Sequence, residues 1–168
     1  PLVRNDAHKL IEECMIMANV SAALMLEKHE APALYRIHDK PDADRLTAFT
    51  SYLSEIGITH RIVDDAEPSA FTDVVLKTKG RVDEELIQTM LLRSMKQAVY
   101  DGDNVGHFGL ALEAYAHFTS PIRRYADLLV HRALILAHVW DDDGLSSKDV
   151  EMLDETAKQI SDTERRSM

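Results

Sequence analysis

In the stretch Tyr115-Ala116-His117-Phe118-Thr119-Ser120-Pro121-Ile122-Arg123-Arg124-Tyr125, an alternating pattern meets a helical one. Upstream, Phe108, Leu110, Leu112, Ala114, Ala116 and Phe118 alternate with His107, Gly109, Ala111, Glu113, Tyr115 and His117. That period of two predicts a long or bulged strand over 107–118 with the first set facing the core. Downstream, Ser120 is placed to cap and Pro121 to open a helix carrying Ile122, Ala126, Leu129, Ala133 and Leu136 along one face. Helical patterns dominate the rest of the chain, and strands do not alternate regularly with crossover helices. The expected fold is therefore α+β, mainly helical, with a few mixed strands.

Working outward, helical spacing fills 6–28, with Asp6 as N-cap and Leu10, Ile11, Cys14, Ala18, Ala22 and Met25 as an apolar stripe. Met15, Ile16, Met17, Val20 and Leu24 widen that stripe enough to predict a core helix, in which Asn19 needs a hydrogen-bonding partner. A short strand is expected over 33–38, a helix over 42–55 ended by Gly57, and a weaker strand over 58–63. Pro68 opens a third helix that stops before Gly80, a fourth runs from 83 to about 100, and Asp101-Gly102-Asp103-Asn104 forms a turn. Asp141-Asp142-Asp143-Gly144 closes the helix after Pro121, and a charged helix over 147–166 covers the outside.

Of 168 residues, 45% are apolar, enough for one hydrophobic core. The single cysteine, Cys14, leaves no intrachain disulfide or thiolate cluster to build, which suits a cytoplasmic protein. Charges interrupt every apolar run before it reaches the length of a membrane span, and the chain opens without a secretory pattern. Acidic groups number 29 against 19 Lys plus Arg, a formal charge of -10. Such a balance argues against a nonspecific nucleic-acid binder with a basic face, but not against a few arginines that handle phosphates locally. Pro1 stands where an initiator Met would, and a charged helical pattern runs on to Met168, so both ends are expected to be cuts in a longer chain.

Two arginines in the first turn of a helix oppose its macrodipole, so helix stability does not explain Arg123 and Arg124. An anion would: free N–H groups and a bidentate guanidinium can hold a phosphate, with Arg123 in that role and Arg124 supporting it or bonding elsewhere. The competing reading pairs Arg123 with Asp127 one turn on and leaves Arg124 in solvent. His131 and His138 share the polar stripe of Arg124 and Asp127, but their spacing is no recognisable zinc motif, and bonds within the fold account for them better. Glu12 or Glu13 beside the core could bind a sugar hydroxyl or a metal, or simply offset the helix dipole. Arg93, Lys96 and Gln97 share a face of the fourth helix with Tyr100, an arrangement that suits phosphates and a stacked base or else an ordinary solvated flank. The runs Asp64-Asp65 and Asp141-Asp142-Asp143 read as turns, and no complete metal centre is visible.

Several segments, in order along the chain, resemble the catalytic (RNB) domain of the ribonuclease II and ribonuclease R family. They are Ala7-His8-Lys9-Leu10-Ile11-Glu12-Glu13-Cys14-Met15-Ile16 with Ala18-Asn19, Ala33-Leu34-Tyr35-Arg36-Ile37-His38-Asp39-Lys40-Pro41, and Leu91-Leu92-Arg93-Ser94-Met95. They continue with Gly106-His107-Phe108-Gly109-Leu110-Ala111-Leu112 and His117-Phe118-Thr119-Ser120-Pro121-Ile122-Arg123-Arg124-Tyr125, extended through Asp127-Leu128 and His131-Arg132. Arg36 to Pro41 and Ser94-Met95-Lys96-Gln97-Ala98 look most like the ribonuclease R branch.

The resemblance implies a 3'-to-5' exoribonuclease that hydrolyses single-stranded RNA processively, with Mg²⁺, to nucleoside 5'-monophosphates. It implies that residues 1–168 are part of one catalytic domain, the metal-binding aspartates and a stacking tyrosine lying upstream and the cold-shock and S1-type RNA-binding domains lying elsewhere. Arg123 matches the family arginine that contacts the scissile region, and Glu13, less closely Glu12, the glutamate that helps hold the terminal nucleotides. Arg93 and Arg124 are further expected RNA contacts. No metal ligand is expected within the chain, nor a DNA partner, a membrane or a biological oligomer, and the piece alone is expected to be inactive. The alternative is a noncatalytic RNA-binding or structural module that keeps the fold.

Overall fold

The computed structural model describes residues 5–59 and 67–167, which form two compact units. The first comprises residues 5–37, 98–107 and 112–167, and the second residues 38–59, 67–97 and 108–111. The elements are mainly helical, with one small sheet, as the patterning predicts.

In the first unit, α1 (Asp6–Lys28) lies against α5 (Tyr125–His138), and the two-stranded sheet of β1 (Tyr35–Ile37) and β2 (Val99–Asp101) is covered by α7 (Leu153–Ser167). The strands are antiparallel, with Arg36 opposite Tyr100. Ala22, Ala23, Ala116, Ala126 and Ala133 are small enough to let backbones approach, and Leu26, Leu34, Leu129 and Val130 fill the space between. Ser161 of α7 accepts the Tyr100 N–H at 2.9 Å, which satisfies a buried β2 donor that has no further strand to pair with.

The N-cap of α1 is Asn5 rather than Asp6: its side chain accepts from the His8 N–H in a reciprocal capping box. Only the second half of α1 is a core helix. Leu10 and Ile11 remain 64% and 59% exposed, and Cys14 is exposed too, because burial begins at Asn19 with the contacts to α5 and the 115–118 segment.

The strand expected over 107–118 does not form. Gly106 and Ala111 both take positive φ, and the chain doubles back so that only His107 and Leu112 pair. A Cβ at Gly106 would sit 3.0 Å from the Leu112 carbonyl oxygen, so glycine is required for that closure. Phe108–Leu110 is a 3-10 turn counted with the second unit. Segment 114–118 runs without regular structure, tied to β1 by the Arg36 N–H donating to the Tyr115 carbonyl at 2.8 Å.

The second unit packs α2 (Ala43–Glu55), α3 (Pro68–Thr78) and α4 (Glu84–Ser94) around Leu46, Phe49, Leu53, Phe71, Val74, Ile87, Leu91 and Phe108. Pro68 opens α3 as expected, and Gly57 follows the end of α2. Helix α4 is shorter than the expected 83–100. Ser94 Oγ donates back to the Leu91 carbonyl, Met95 turns extended, and 99–101 pair with β1 instead. Of the weak strand at 58–63, Ile58 and Thr59 are not strand and the rest, like Asp64-Asp65, lies outside the described residues.

Candidate functional site

The turn after Phe118 is built differently from a capped helix start. Pro121 to Arg123 form a turn whose Arg123 and Arg124 N–H groups donate to the Ser120 carbonyl at 3.2 and 3.1 Å. Arg124 is then extended, and α5 begins only at Tyr125. The two arginines therefore precede the helix rather than occupy its first turn, Ser120 does not cap it, and Ile122 is fully exposed instead of facing the core.

Asp127 organises this turn. Its carboxylate is completely buried and accepts from Arg124 Nε at 2.7 Å, Arg124 Nη2 at 2.9 Å and the Ser120 N–H at 2.7 Å. The competing pairing of Arg123 with Asp127 is not found: Arg124 binds Asp127, and Arg123 has no ion pair among the described residues. The spacing allowed either partner, and the extended backbone at Arg124 decides by turning Arg123 outward. Arg123 and Tyr125 are exposed and, with Arg124 and Tyr100, line one side of a 460 Å³ cavity. Thr156, Gln159, Thr163 and Ser167 of α7 line the other side, a contribution that the sequence reading, which took α7 as an outer cover, missed.

Behind the cavity lies a satisfied polar network. Asn19 donates to Tyr115 Oη and accepts the Phe118 N–H, both at 2.9 Å, which supplies the partners that its burial requires. His117 Nδ1 lies 2.8 Å from Tyr100 Oη. Burial, and then the charges of Arg124 and Arg36, push the His117 pKa down to about 3, so the ring is neutral near pH 7. Burial likewise raises the Tyr100 hydroxyl above its usual range. The Arg36 guanidinium sits 4.6 Å over the Tyr100 ring and donates to Glu164 at 2.7 Å. With Arg36 and Arg124 each held by a carboxylate, Arg123 is the cation at this cavity left for an anion.

The other candidates are not gathered here. Glu13 is exposed on α1 and is absent from the cavity lining, and Arg93 is exposed on α4 in the second unit. The expected shared helical face of Arg93, Lys96, Gln97 and Tyr100 does not exist, because α4 ends at Ser94. Tyr100 is buried in β2 and cannot stack on a base, and Lys96 is paired with Asp39 and Asp42 at 2.7 and 3.2 Å. His131 bonds the Phe118 carbonyl and stacks on its ring, and His138 bonds the Leu134 carbonyl and stacks on Trp140, which are bonds within the fold as expected.

Among the described residues, no three His, Cys, Asp or Glu side chains gather closely enough to hold a metal ion. The buried carboxylate beside the cavity, Asp127, already has three donors. This donor set does not fit a Mg²⁺ site. Nor is any helix of the described residues long and apolar enough to cross a membrane.

Residues 2–139 match the model of the RNB domain family. Ribonuclease R of Vibrio parahaemolyticus serotype O3:K6 is 60% identical over 134 residues, which cover 80% of this chain and 16% of that protein. The chain therefore spans about a sixth of the length of such relatives. The structure of Mycoplasma genitalium RNase R in complex with ribose-methylated single-stranded RNA superposes with a TM-score of 0.86 at 30% identity, covering 97% of this chain and 26% of that one. Yeast Ssd1, described as a pseudonuclease, superposes with a TM-score of 0.76 at 29% identity, covering 95% of this chain and 20% of its own. The chain belongs to the RNB family.

Proposed function

We propose that this chain is part of the catalytic domain of a longer 3'-to-5' exoribonuclease, which hydrolyses single-stranded RNA processively to nucleoside 5'-monophosphates. The observation that carries the reading is Arg123: an unpaired guanidinium over a cavity, at the position where the family resemblance places an arginine at the scissile phosphate. Structures of one relative, Mycoplasma genitalium RNase R, with ribose-methylated single-stranded and with double-stranded RNA support RNA as the partner.

In this reading Arg123 donates to the phosphoryl oxygens as charge builds on them, an interaction stronger in the transition state than in the ground state. The α5 N-terminus lacks a side-chain cap at Arg124, so its N–H groups add to the positive field. Arg124 retains Nη1 for a neighbouring phosphate oxygen while Asp127 holds its other edge. Glu13 receives hydroxyls of the terminal nucleotides, and Arg93, in the second unit, meets a backbone phosphate. Mg²⁺ would be held by aspartates elsewhere in the longer protein and would supply the activated water. The 168-residue chain alone is expected to release no mononucleotides from RNA, and measurable turnover by it would remove this part of the reading.

A second reading, a noncatalytic RNA-binding module, is favoured by one observation: the same fold occurs in a protein described as a pseudonuclease. The two are separated by incubating the full-length protein with 5'-labelled single-stranded RNA and Mg²⁺. The enzyme reading expects progressive 3' shortening, and a loss of about 100-fold or more in kcat for Arg123→Ala with the fold intact. An inert wild type points to the noncatalytic module. Undiminished hydrolysis by Arg123→Ala keeps the enzyme and removes Arg123 from the site.

A further inference from the structure

Asp127 is the one buried carboxylate among the described residues, and it is buried completely. An acid at the third position of a helix gains from the macrodipole while fully solvated, and an exposed pair three residues apart is worth little. Neither accounts for a burial that requires three donors. What those donors share is geometry. The Ser120 N–H enters from the start of the turn and the Arg124 guanidinium from its end, so one carboxylate closes residues 120–127 into a ring. The Ser120 carbonyl accepts the Arg123 and Arg124 N–H groups inside the same ring. The backbone on both sides of Arg123 is thereby fixed while its side chain stays unpaired at the cavity.

We propose that Asp127 is a positioning residue for Arg123: by clamping Ser120 and Arg124 to one buried carboxylate, it aims the free guanidinium at the reacting phosphate. This rests on the role given to Arg123 above. Asp127 itself touches neither substrate nor metal. A group held at productive geometry by its surroundings loses rate when released by as little as an ångström. Asparagine at 127 keeps the size and an amide oxygen for the Ser120 N–H, but turns an NH₂ toward Arg124 and opens the clamp.

The test is a double-mutant cycle in the full-length protein. It compares wild type, Arg123→Ala, Asp127→Asn and the double variant, with kcat and KM on 5'-labelled single-stranded RNA and thermal unfolding of each. Asp127→Asn is expected to lower kcat about 10- to 100-fold and to move KM less than about threefold. In the Arg123→Ala background it is expected to cost less than about threefold, what remains being the Arg124 contact that Asp127 also holds. If Asp127→Asn does not fold, Asp127→Glu serves in the same cycle: it keeps the charge, displaces the clamp by one methylene, and is expected to show a smaller kcat loss with the same non-additivity. Equal losses in both backgrounds, or an unchanged kcat, overturn the positioning role alone. A wild type without hydrolysis, or Arg123→Ala without effect, overturns the reading of Arg123 and this inference with it.

Discussion

Acidification should destabilise the first unit through His117 before that ring itself titrates. The unfolded histidine has a pKa near 6.5, whereas burial and the neighbouring arginines hold the folded ring at about 3. Above the unfolded value both states are neutral and the stability is fully present. As pH falls through it, only the unfolded chain takes up the proton, so folding stability drops, by up to about 1.4 kcal/mol per pH unit, until the folded ring protonates. Between about pH 8 and pH 5 the loss amounts to about 2 kcal/mol. His117→Asn removes the titration, and its amide can still meet the Tyr100 hydroxyl where Nδ1 now does. The single tryptophan, Trp140, lies in the same unit and stacks on His138, so its fluorescence follows urea unfolding of that unit at each pH. Wild type should lose about 2 kcal/mol more than His117→Asn over this range. Equal pH dependence in the two proteins, or an NMR titration of the His117 ring with a midpoint near 6.5, would refute the reasoning.

Asn19→Ala removes the bond to Tyr115 Oη and strands the Phe118 N–H, and should cost about 2–3 kcal/mol, read as a lower urea midpoint and faster hydrogen exchange at Phe118. At Gly57 the φ of +77° closes α2 by a Schellman pair, Gly57 N–H to Ser54 O at 3.1 Å and Ile58 N–H to Leu53 O at 2.8 Å. A Cβ there meets nothing within 4 Å, so Gly57→Ala should cost only the left-handed backbone penalty, about 1 kcal/mol, and a loss several times larger by thermal melting would show that packing is involved.

Elements governed by their own residues were legible. Pro68 at the head of α3 and Gly57 after α2 need nothing distant to explain them. Misreadings arose where a distant partner overruled local spacing. Val99 and Tyr100 fit the end of a helix by period, yet pairing with β1 and the Ser161 hydroxyl draw them into a strand. The alternation over 107–118 holds only at Phe108: Leu110 is exposed and Ala114, Tyr115 and Ala116 are buried in a row, because Ala111 in a left-handed conformation breaks the strand where no glycine announces a turn. At the site, the sequence singles out Arg123 for an anion and offers its pairing with Asp127 only as the competing reading. On a continuous helix that pairing is sound, and the break at Arg124 is set by Ser120 and Asp127 together, which no local pattern encodes. The α7 lining comes from residues more than thirty positions further along, placed by packing on β2.

The net charge of -10 and the proposed RNA substrate are reconciled by how the charges are arranged rather than by how many there are. At 0.15 M salt the Debye length is about 8 Å, so excess surface acid weakens long-range steering of a polyanion but acts little at contact. Contact is where the cavity differs from the rest. Two of its three neighbouring arginines are neutralised by buried or half-buried carboxylates, and their roles are accordingly to hold the Tyr100 ring and the 120–124 turn. A third cation, Arg123, has no carboxylate among the described residues competing with a phosphate for it. Arginine is suited to that place because it stays charged and offers a planar fork to a phosphate. A broadly basic surface would bind any polyanion it met, whereas one unpaired guanidinium in a cavity binds a phosphate only when a strand end has been delivered to it. On the proposed reading, delivery of the strand falls to other parts of the longer protein, while this chain adds the Glu13 and Arg93 contacts and aims a single charge, Arg123, at the phosphate.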